Sequence, residues 1–349
     1  MKVAALISGG VDSSTALQLL TQKPDIEVTA YYLKIWLEDE LAFLGDCPWE
    51  EDLHYAHAIC KKLGIPLKII PLQNEYRENI VEFAINELRA GQTPSPDIFC
   101  NERIKFGAFL EKIDPSYDKI ASGHYAQIIY QSERYYLKQA PDPVKDQTYF
   151  LSNLSQQQIS RLMFPIGHLK KNDVRNLAEQ FNVPSKTRPD SQGICFLGKI
   201  KYRDFVASHL GEQPGEIIEH ETGKLIGTHR GHWFHTIGQR QGLGLSGGPW
   251  YVVKKSPIEN QVYVTHLTQL QSHKRDRFTL RGLHWISEKP KSTDLHVKVR
   301  HGPEMISCEL SVSEGVNKVF LNEADTGIAP GQQAVFYSDD ICLGGGTIE

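Results

Sequence analysis

The stretch that most constrains the fold of this chain is Leu6-Ile7-Ser8-Gly9-Gly10-Val11-Asp12-Ser13-Ser14. The apolar run Val3–Ile7 predicts a buried strand, and Thr15–Leu20 has the spacing of a helix. Consecutive glycines let backbone N–H groups approach a ligand closely, and the first N–H groups of a helix add positive potential. The turn is therefore predicted to cradle an anion, with its three serines as hydroxyl donors and Asp12 placed to share Mg²⁺ with phosphate oxygens. A plain glycine- and serine-rich turn is the alternative.

The pattern that follows this turn alternates strands and helices. Glu27–Leu33 and Leu67–Ile70 are predicted strands, Leu53–Leu63 is a predicted helix between them, and Lys119–Ala121 is a later strand. This order predicts an α/β fold whose N-terminal part is a doubly wound parallel sheet with helices on both faces. Beyond about residue 200, short strands separated by glycines predict two smaller β-rich domains. The expected domains are 1–200, 201–272 and 273–349, the last a β-barrel.

Composition excludes several classes of protein. The chain has 349 residues, of which 40% are hydrophobic and 23% charged, as in ordinary globular proteins. No apolar run approaches the ~20 residues of a membrane helix, and the run after Lys2 is too short for a signal peptide. Six scattered cysteines without a C-x-x-C pair indicate a reducing compartment. We therefore expect a cytoplasmic protein that does not associate with membranes.

Charge is distributed in blocks. The net charge is −4 and the isoelectric point about 6.4, which argues weakly against binding nucleic acid. Residues 25–52 hold nine acidic residues against one lysine, a net of −8, whereas 165–203 and 274–301 each hold eight basic against three acidic residues, a net of +5. Local basic stripes govern polyanion binding, so either block could bind nucleic acid or could be a solvated basic face.

Two cysteines lie in surroundings that favour chemistry. Thr93-Pro94-Ser95-Pro96-Asp97 is expected to be extended because of its prolines, and a helix is predicted over Arg103–Lys112. Cys100 would then lie near a helix N-terminus, which favours thiolate, with Asp97 close enough to act as acid or base. Cys195 lies in a basic, glycine-containing turn within 186–196. A capped loop with an incidental cysteine is the alternative for Cys100.

Other polar or titratable residues give weaker signals. Cys60 lies on the apolar face of a predicted helix and is predicted to be a core residue. The loop Lys145-Asp146-Gln147 offers charge and amide without apolar cover, as a polar ligand would need. His229, His232 and His235 have a suggestive spacing but lack a paired cysteine or carboxylate cluster, so no metal site is predicted there.

These motifs carry a family resemblance. The Ser8–Ser14 motif is similar to that of the ATP pyrophosphatase (PP-loop) superfamily. With the other stretches above, and with Gly123-His124-Tyr125, Ser191–Phe196, His235–Arg240 and Gly344–Gly346, the whole chain resembles the bacterial-type tRNA-specific 2-thiouridylase family. The resemblance implies that ATP adenylates O2 of the wobble uridine in tRNAs for Lys, Glu and Gln, and that sulfur delivered as a persulfide replaces this oxygen.

The resemblance also implies site residues. Cys195 would carry the persulfide, Cys100 would resolve it, and Asp97 would be the acid or base. ATP would be bound by Leu6, Ile7, Ser8, Gly9, Gly10, Val11, Asp12, Ser13, Leu33 and Gly123. The implied tRNA contacts are Ser95, Pro96, Asp97, His124, Lys145, Asp146, Gln147, Arg300, His301 and Gln332.

The expected cofactors and partners follow from the same resemblance. ATP and Mg²⁺ are expected, and an iron–sulfur cluster held by the two catalytic cysteines and a third ligand is left open. The expected partners are tRNA and a sulfur-donor protein, either a cysteine desulfurase or a sulfur-relay carrier. We expect a monomer when the protein is free.

The sequence departs from the family pattern at two places, and two alternatives stand beside the main interpretation. Ser95 replaces the more usual Asn, and the segment 37–49, which contains Cys47, differs from the commoner acidic version. A PP-loop ATP-dependent ligase or amidotransferase acting on a small molecule would need neither paired cysteines nor a β-rich tail. A non-catalytic tRNA-binding protein would tolerate loss of Asp12 or Cys100, and both are present.

Overall fold

The structure is a computed structural model that describes residues 1–36, 49–190, 200–291, 294–313 and 315–349. Cys47 and most of segment 37–49, as well as Cys195 with the motif Ser191–Phe196, lie outside the described residues.

A five-stranded parallel sheet forms the N-terminal part, in the order β3-β2-β1-β4-β7. Both faces of its central strand are buried: Val3 and Ala5 pack in one apolar cluster, and Ala4 packs in another on the opposite face. Burial on both faces explains why β1 is a continuous apolar run. The strands are β1 (Lys2–Leu6), β2 (Glu27–Lys34), β3 (Leu67–Pro71), β4 (Lys119–Ala121) and β7 (Leu162–Met163).

Helices cover both faces of this sheet. Helices α1 and α2 contribute to the cluster that contains Val3, whereas α3 and α4 contribute to the cluster that contains Ala4. The helices are α1 (Val11–Thr21), α2 (Trp49–Leu63), α3 (Gln73–Tyr76 continued by Arg77–Val81 and Glu82–Arg89), α4 (Pro96–Phe99 continued by Cys100–Ala108 and Phe109–Lys112), α5 (Gln156–Ser160), α6 (Lys171–Gln180) and α7 (Tyr202–Leu210).

The helix expected over Arg103–Lys112 begins seven residues earlier, at Pro96. The expectation of an extended proline segment was wrong for Pro96, because proline is well tolerated in the first turn, where its missing N–H would have no partner within the helix. Cys100 is thus the fifth residue of α4. The Cys100–Ala108 part has the wider π-helical geometry.

Two β-rich regions follow the parallel sheet. The central one is a four-stranded sheet in the order β10-β11-β8-β9, and the C-terminal one is a barrel of six antiparallel strands that the pairing of β12 with β17 closes. The prediction of a doubly wound parallel sheet followed by two smaller β-rich domains is therefore confirmed. The central strands are β8 (Gly215–Glu219), β9 (Leu225–His229), β10 (Trp250–Ser256) and β11 (Gln261–His266). The barrel strands are β12 (Arg275–Trp285), β13 (Asp294–Lys298), β14 (Ile306–Ser313), β15 (Val316–Asp325), β16 (Gln333–Ser338) and β17 (Ile341–Ile348).

A hairpin from the N-terminal part joins the C-terminal sheet. Strands β5 (Ala126–Gln131) and β6 (Arg134–Gln139) pair with each other, and β6 pairs with β17 through Cys342 opposite Leu137. The C-terminal sheet thus receives two strands from the segment that follows β4 directly. Among the described residues, no helix is both long enough and apolar enough to cross a membrane.

Candidate functional site

The glycine- and serine-rich loop lies where β1 ends and α1 begins. Gly9 has a φ of 74°, and a Cβ atom there would lie 2.2 Å from the backbone oxygen of Asp52, so only glycine fits. Ser13 Oγ donates to the carbonyl oxygen of Gly10 at 3.2 Å and accepts from the backbone N–H of Ser8 at 3.2 Å. Gly10 has no side chain with which to cap the first N–H groups of α1. We call residues 7–13 the cradle.

Two other predicted ATP-binding residues border the cradle. Gly123 follows β4, and a Cβ atom there would lie 2.8 Å from the backbone nitrogen of Ser13, so the end of β4 packs directly on the start of α1. Leu33 lies near the carboxyl end of β2, beside β1. Ser14, by contrast, was wrongly predicted as a ligand donor: it is fully buried and its hydroxyl accepts from Ser185 at 3.2 Å.

Asp12, in the first turn of α1, is held by two side chains from distant parts of the chain. Lys171 Nζ lies 2.8 and 2.9 Å from its two carboxylate oxygens, and the hydroxyl of Tyr125 donates to Oδ1 at 2.7 Å. Burial and the neighbouring charge of Asp12 raise the pKa of Tyr125 well above its usual range. Tyr125 is therefore a neutral donor. Lys171, which sequence reasoning did not assign to the site, is the residue that neutralises Asp12.

Asp190 links the cradle to the segment that contains Cys195. Its carboxylate accepts from Lys145 at 2.7 Å, lies 2.8 Å from Lys171 Nζ and accepts from Arg175 at 2.5 Å. Burial by itself would raise the pKa of Asp190, but the hydrogen bonds and charges of Lys145 and Lys171 outweigh it and hold the pKa well below its usual range. Lys171 therefore bridges Asp12 and the residue directly before the undescribed segment 191–199.

Part of the basic block 165–203 supplies this network. Besides Lys171 and Arg175, Arg188 lies 2.8 Å from an oxygen of Asp52, and its guanidinium donates to the carbonyl oxygen of Gly9 at 3.1 Å. Asp52 belongs to the acidic block, so the two blocks partly neutralise each other at the cradle. Sequence counting could not show this, because the partners are more than 100 residues apart.

Cys100 lies under the surface at the start of α4, with only 1% of its area exposed. Asp97 is one helical turn earlier, a spacing that places both residues on the same side of the helix. Of the other described cysteines, Cys60, Cys308 and Cys342 are buried too, and burial raises their thiol pKa to about 11, 12 and 12. These three are poor sources of thiolate, in line with the prediction that Cys60 is a core residue.

Several positions that the resemblance assigns to tRNA come together from opposite ends of the chain. The hydroxyl of Tyr149 donates to the backbone oxygen of Gln333 at 3.0 Å and interacts with Ser95. The ring of Tyr149 lies 5.9 Å from that of His301, which also stacks on Phe150 at 4.5 Å. Arg300 is exposed and forms a two-point ion pair with Asp325, at 2.7 and 2.9 Å.

Gln332 lies beside this group. The backbone N–H of Thr93 donates to the carbonyl oxygen of Pro330 at 2.7 Å, which places the loop before α4 against the turn that contains Gln332. Gln332 itself is half-buried, and its backbone oxygen accepts from Ile348 at 2.8 Å. The assigned positions at 95–97, 300–301 and 332 thus share one face of the molecule.

His124 connects this face to the cradle. Its ring accepts or donates a hydrogen bond with Ser122 at 2.8 Å and lies 5.8 Å from the ring of Phe106 in α4. Burial, with a smaller effect from the charge of Lys105, holds the pKa of His124 well below its usual range. His124 is therefore a neutral imidazole directly after Gly123, which itself contacts the cradle.

The loop Lys145-Asp146-Gln147 was wrongly expected to lack cover. Lys145 is paired with Asp190, and the side-chain oxygen of Gln147 accepts from the backbone of Tyr125 at 2.9 Å. Asp146 is 2% exposed and lies 3.5 Å from Lys298 Nζ, a buried ion pair with the barrel. The side chain of Asp146 is thus a structural anchor in this arrangement.

The three histidines of the central region are buried and close together. The rings of His229 and His235 lie 5.4 Å apart, and burial lowers the pKa of His232 and of His235 to about 4. Within the part of the chain that the structure describes, no group of three histidine, cysteine or acidic side chains is arranged to hold a metal ion.

Comparison with known families gives three successive matches. A family profile described as the tRNA methyl transferase HUP domain matches residues 1–199. Profiles described as the tRNA methyl transferase PRC-barrel domain and the aminomethyltransferase beta-barrel domain match residues 203–266 and 275–348.

Relatives match over the full length of the chain. The tRNA-specific 2-thiouridylase MnmA 1 of Bacteroides thetaiotaomicron is 47% identical over 356 residues, covering 100% of this chain and 99% of the relative. The tRNA-specific 2-thiouridylase MnmA of Porphyromonas gingivalis is 44% identical over 362 residues, covering 100% and 99%. Among solved structures, the U34-tRNA thiolase NcsA from Methanococcus maripaludis with its 4Fe-4S cluster aligns with 59% of this chain and 64% of its own, at 19% identity and a TM-score of 0.36. That structural likeness is too remote to bear on function.

Proposed function

This chain belongs to the tRNA-specific 2-thiouridylase family, and we propose that it converts the wobble uridine of tRNA to 2-thiouridine with ATP and a persulfide sulfur. The expected substrates are the tRNAs for Lys, Glu and Gln. One structural observation supports this proposal most: Gly123-His124 contacts the cradle on one side and the cysteine-bearing helix α4 on the other. These contacts would hold the proposed ATP site and the proposed thiol site close together.

The cradle would bind the phosphates of ATP through Ser8 to Ser13, with Leu33 and Gly123 beside the rest of the nucleotide. Mg²⁺ fits this donor set, because a single partly exposed carboxylate together with phosphate oxygens is a common way of binding it. When bound, Mg²⁺ would neutralise phosphate charge. Lys171 contacts both Asp12 and Asp190, and its ammonium group is proposed to meet a phosphate oxygen of the bound nucleotide.

Adenylation would make the uridine oxygen a good leaving group. O2 of the uridine attacks the α-phosphate of ATP, pyrophosphate leaves, and C2 then carries an AMP ester. Sulfur attacks C2, the C2–O bond breaks, and AMP departs. Ser95 to Asp97, His124, Arg300, His301 and Gln332 are proposed to position the tRNA, with the backbone rather than the buried side chain of Asp146 facing it. His124 would do so as a neutral hydrogen-bonding group.

Sulfur release would use the two cysteines in turn. Cys195 carries the terminal sulfur as a persulfide, and Cys100 as thiolate attacks the Cys195 sulfur. The persulfide bond breaks, sulfide leaves to attack C2, and a Cys100–Cys195 disulfide remains, which an external dithiol reduces. Asp97 is proposed to take the thiol proton of Cys100. Because Cys100 is buried, this attack requires local opening of the surface above α4 when tRNA binds.

The test compares single cysteine variants in purified protein supplied with ATP, tRNA and a persulfide donor. Cys100→Ser and Cys195→Ser should each abolish 2-thiouridine, measured by nucleoside mass spectrometry, while pyrophosphate release continues. Cys308→Ser, a buried cysteine of the barrel, is the matched control and should remain active. Non-reducing peptide mapping after one turnover should recover a Cys100–Cys195 crosslink. Full thiolation by either single variant would overturn the proposed sulfur route.

The same preparations test the other expectations about cofactors and partners. If the protein binds an iron–sulfur cluster, Cys100 and Cys195 would be cluster ligands. Iron would then co-purify with the wild-type protein under anaerobic conditions, and the protein would absorb near 400 nm. Both the iron and the absorbance would be lost in the two cysteine variants. A cysteine desulfurase or relay carrier should load a persulfide on Cys195 but not on its Ser variant. We expect a cytoplasmic protein that is monomeric when free, which sedimentation measures directly.

A further inference from the structure

A cavity of about 510 Å³ lies between the central sheet and the barrel, away from the cradle and from Cys100. Its walls come from the end of β10, the short helical turn Leu267–His273, the start of β12 and the turn after β15. Six basic or titratable side chains line it, and no carboxylate does: His220, Lys254, Lys255, His273, Lys274 and Arg275. We call it the basic cavity.

The lysines and the arginine of the basic cavity form no salt bridge with a carboxylate in the described part of the chain, whereas its His273 pairs with Glu221. Glu221 accepts from Thr265 at 2.5 Å and from the cavity residue His273 at 2.6 Å. Asp325 forms its salt bridge with Arg300, outside the cavity. Nη2 of Arg275 is buried without a hydrogen-bond partner. Such a donor costs free energy unless something outside the chain satisfies it.

Lys255 shows the same electrostatic imbalance. Its Nζ donates to the backbone oxygen of His235 at 2.9 Å, and burial lowers the pKa of this ammonium group to about 8. A lysine loses basicity in this way when it is desolvated without a counter-charge. An anion in the cavity would supply the missing charge to Lys255 and the missing acceptor to Arg275 together.

A solvated basic face would explain exposed lysines such as Lys254 but not a buried, unsatisfied guanidinium nitrogen. Several lysine and arginine side chains converging on a concave space are the usual means of binding phosphate groups. The apolar side chains Ile237, Val253 and Leu270 also line the cavity, so there is room for an organic part of the ligand.

We infer that the basic cavity is an anion site that takes a phosphate group of a ligand. The position of the cavity suggests one source for that phosphate group. Thr326 lines the cavity, and the next residue, Gly327, packs on Arg300: a Cβ atom on Gly327 would lie 2.5 Å from the Arg300 guanidinium. Arg300 is a proposed tRNA contact, so a backbone phosphate of tRNA is one source, which rests on the proposed function. The other possible source is a small free phosphate compound such as pyrophosphate, and this source does not depend on the proposed function.

The test uses Lys274→Gln/Arg275→Gln, which removes two charges from the cavity, and the control Arg277→Gln, which removes one charge from strand β12 outside the cavity. Equilibrium dialysis with labelled pyrophosphate should give two sites per chain in wild type and control, one in the cradle and one in the basic cavity. The double variant should retain one. Lys254→Gln, which changes an exposed side chain, is the second variant if the double variant does not fold.

Salt titration of tRNA binding separates the two sources. If the ligand is tRNA, the slope of log affinity against log salt should decrease by about 1 in the double variant and not in the control. Loss of one pyrophosphate site with an unchanged slope assigns the cavity to a small phosphate compound. If neither measurement distinguishes the double variant from Arg277→Gln, the inference is wrong. A wild type that binds no tRNA would contradict the proposed function but leave the dialysis result decisive for the cavity.

Discussion

Lys171 and Lys298 each hold an aspartate, but in different surroundings. At the cradle, the side chains of Lys171 and Asp12 are 11% and 32% exposed, and both have additional polar neighbours. Where the N-terminal part meets the barrel, Lys298 and Asp146 are 2% and 1% exposed. Charges near solvent can exchange partners at small cost, whereas a buried pair is costly to separate. The same two residue types therefore give an adaptable contact at the proposed ligand site and a fixed structural contact at the barrel.

Breaking the buried pair should have the largest effect. Lys298→Met should lower the free energy of unfolding by about 3–5 kcal/mol, because the Asp146 carboxylate would remain buried without its counter-charge. Urea unfolding followed by circular dichroism measures this. The double variant Asp146→Asn/Lys298→Met should recover part of the loss. Equal instability of the single and double variants would show that the pair itself is not the cause.

Breaking the cradle pair should affect chemistry rather than stability. Asp12→Ala should reduce ATP-dependent pyrophosphate release by about 100-fold or more, since it removes the proposed magnesium ligand and the partner of Lys171. The free energy of unfolding should change by less than about 1 kcal/mol, and tRNA binding should be largely retained. A coupled pyrophosphatase assay and filter binding measure these. Unchanged pyrophosphate release would contradict the ATP site.

An intermediate effect on stability is expected for Asp190, and its dependence on pH can be tested. Its pKa is lower in the folded state, so its contribution to stability is present above the unfolded pKa near 4 and is lost as pH falls through the folded value. Asp190→Asn should therefore be less stable than wild type by about 1–2 kcal/mol at pH 7. The difference should shrink as pH falls below about 4. Paired urea titrations from pH 3 to 7 measure it, and a gap that does not depend on pH would refute the assignment.

The smallest effect is expected at an exposed pair on the barrel. Arg277 and Asp276 interact at 2.9 Å, but their side chains are 70% and 56% exposed. Solvent screens such a contact, so Arg277→Gln should leave the urea midpoint unchanged within error. A clear loss of stability would mean that exposure does not rank these pairs in the way proposed.

Local patterns predicted the elements around the cradle correctly. The strand, the glycine turn and the helix follow one another within the first 21 residues, and the predicted parallel sheet and β-rich regions are confirmed by the structure. The family resemblance is confirmed by the three family profiles and by full-length relatives. The domain boundaries expected at residues 200 and 272, however, place β5 and β6 in a different domain from the barrel sheet that these two strands join.

Side-chain roles that depend on distant partners were not predictable. Lys171 meets Asp12 across 159 residues of chain, and Lys298 meets Asp146 across a domain boundary, so no local spacing indicates either contact. For the same reason, Asp146 was taken for an open ligand residue, and the sequence left open whether the basic block 165–203 binds nucleic acid or is a solvated face.

The sequence by itself determined the order of strands and helices, the cradle and the family, because hydrophobic periodicity, glycine geometry and motif order act over a few residues at a time. Only the tertiary structure decided which charges remain available. It engages Lys171, Arg175 and Arg188 at the cradle, buries Lys298 in the barrel, and leaves Lys255 and Arg275 facing a cavity without a carboxylate. The physical reason is that the energy of a charge depends on its burial and on its partners in space, and chain packing sets both.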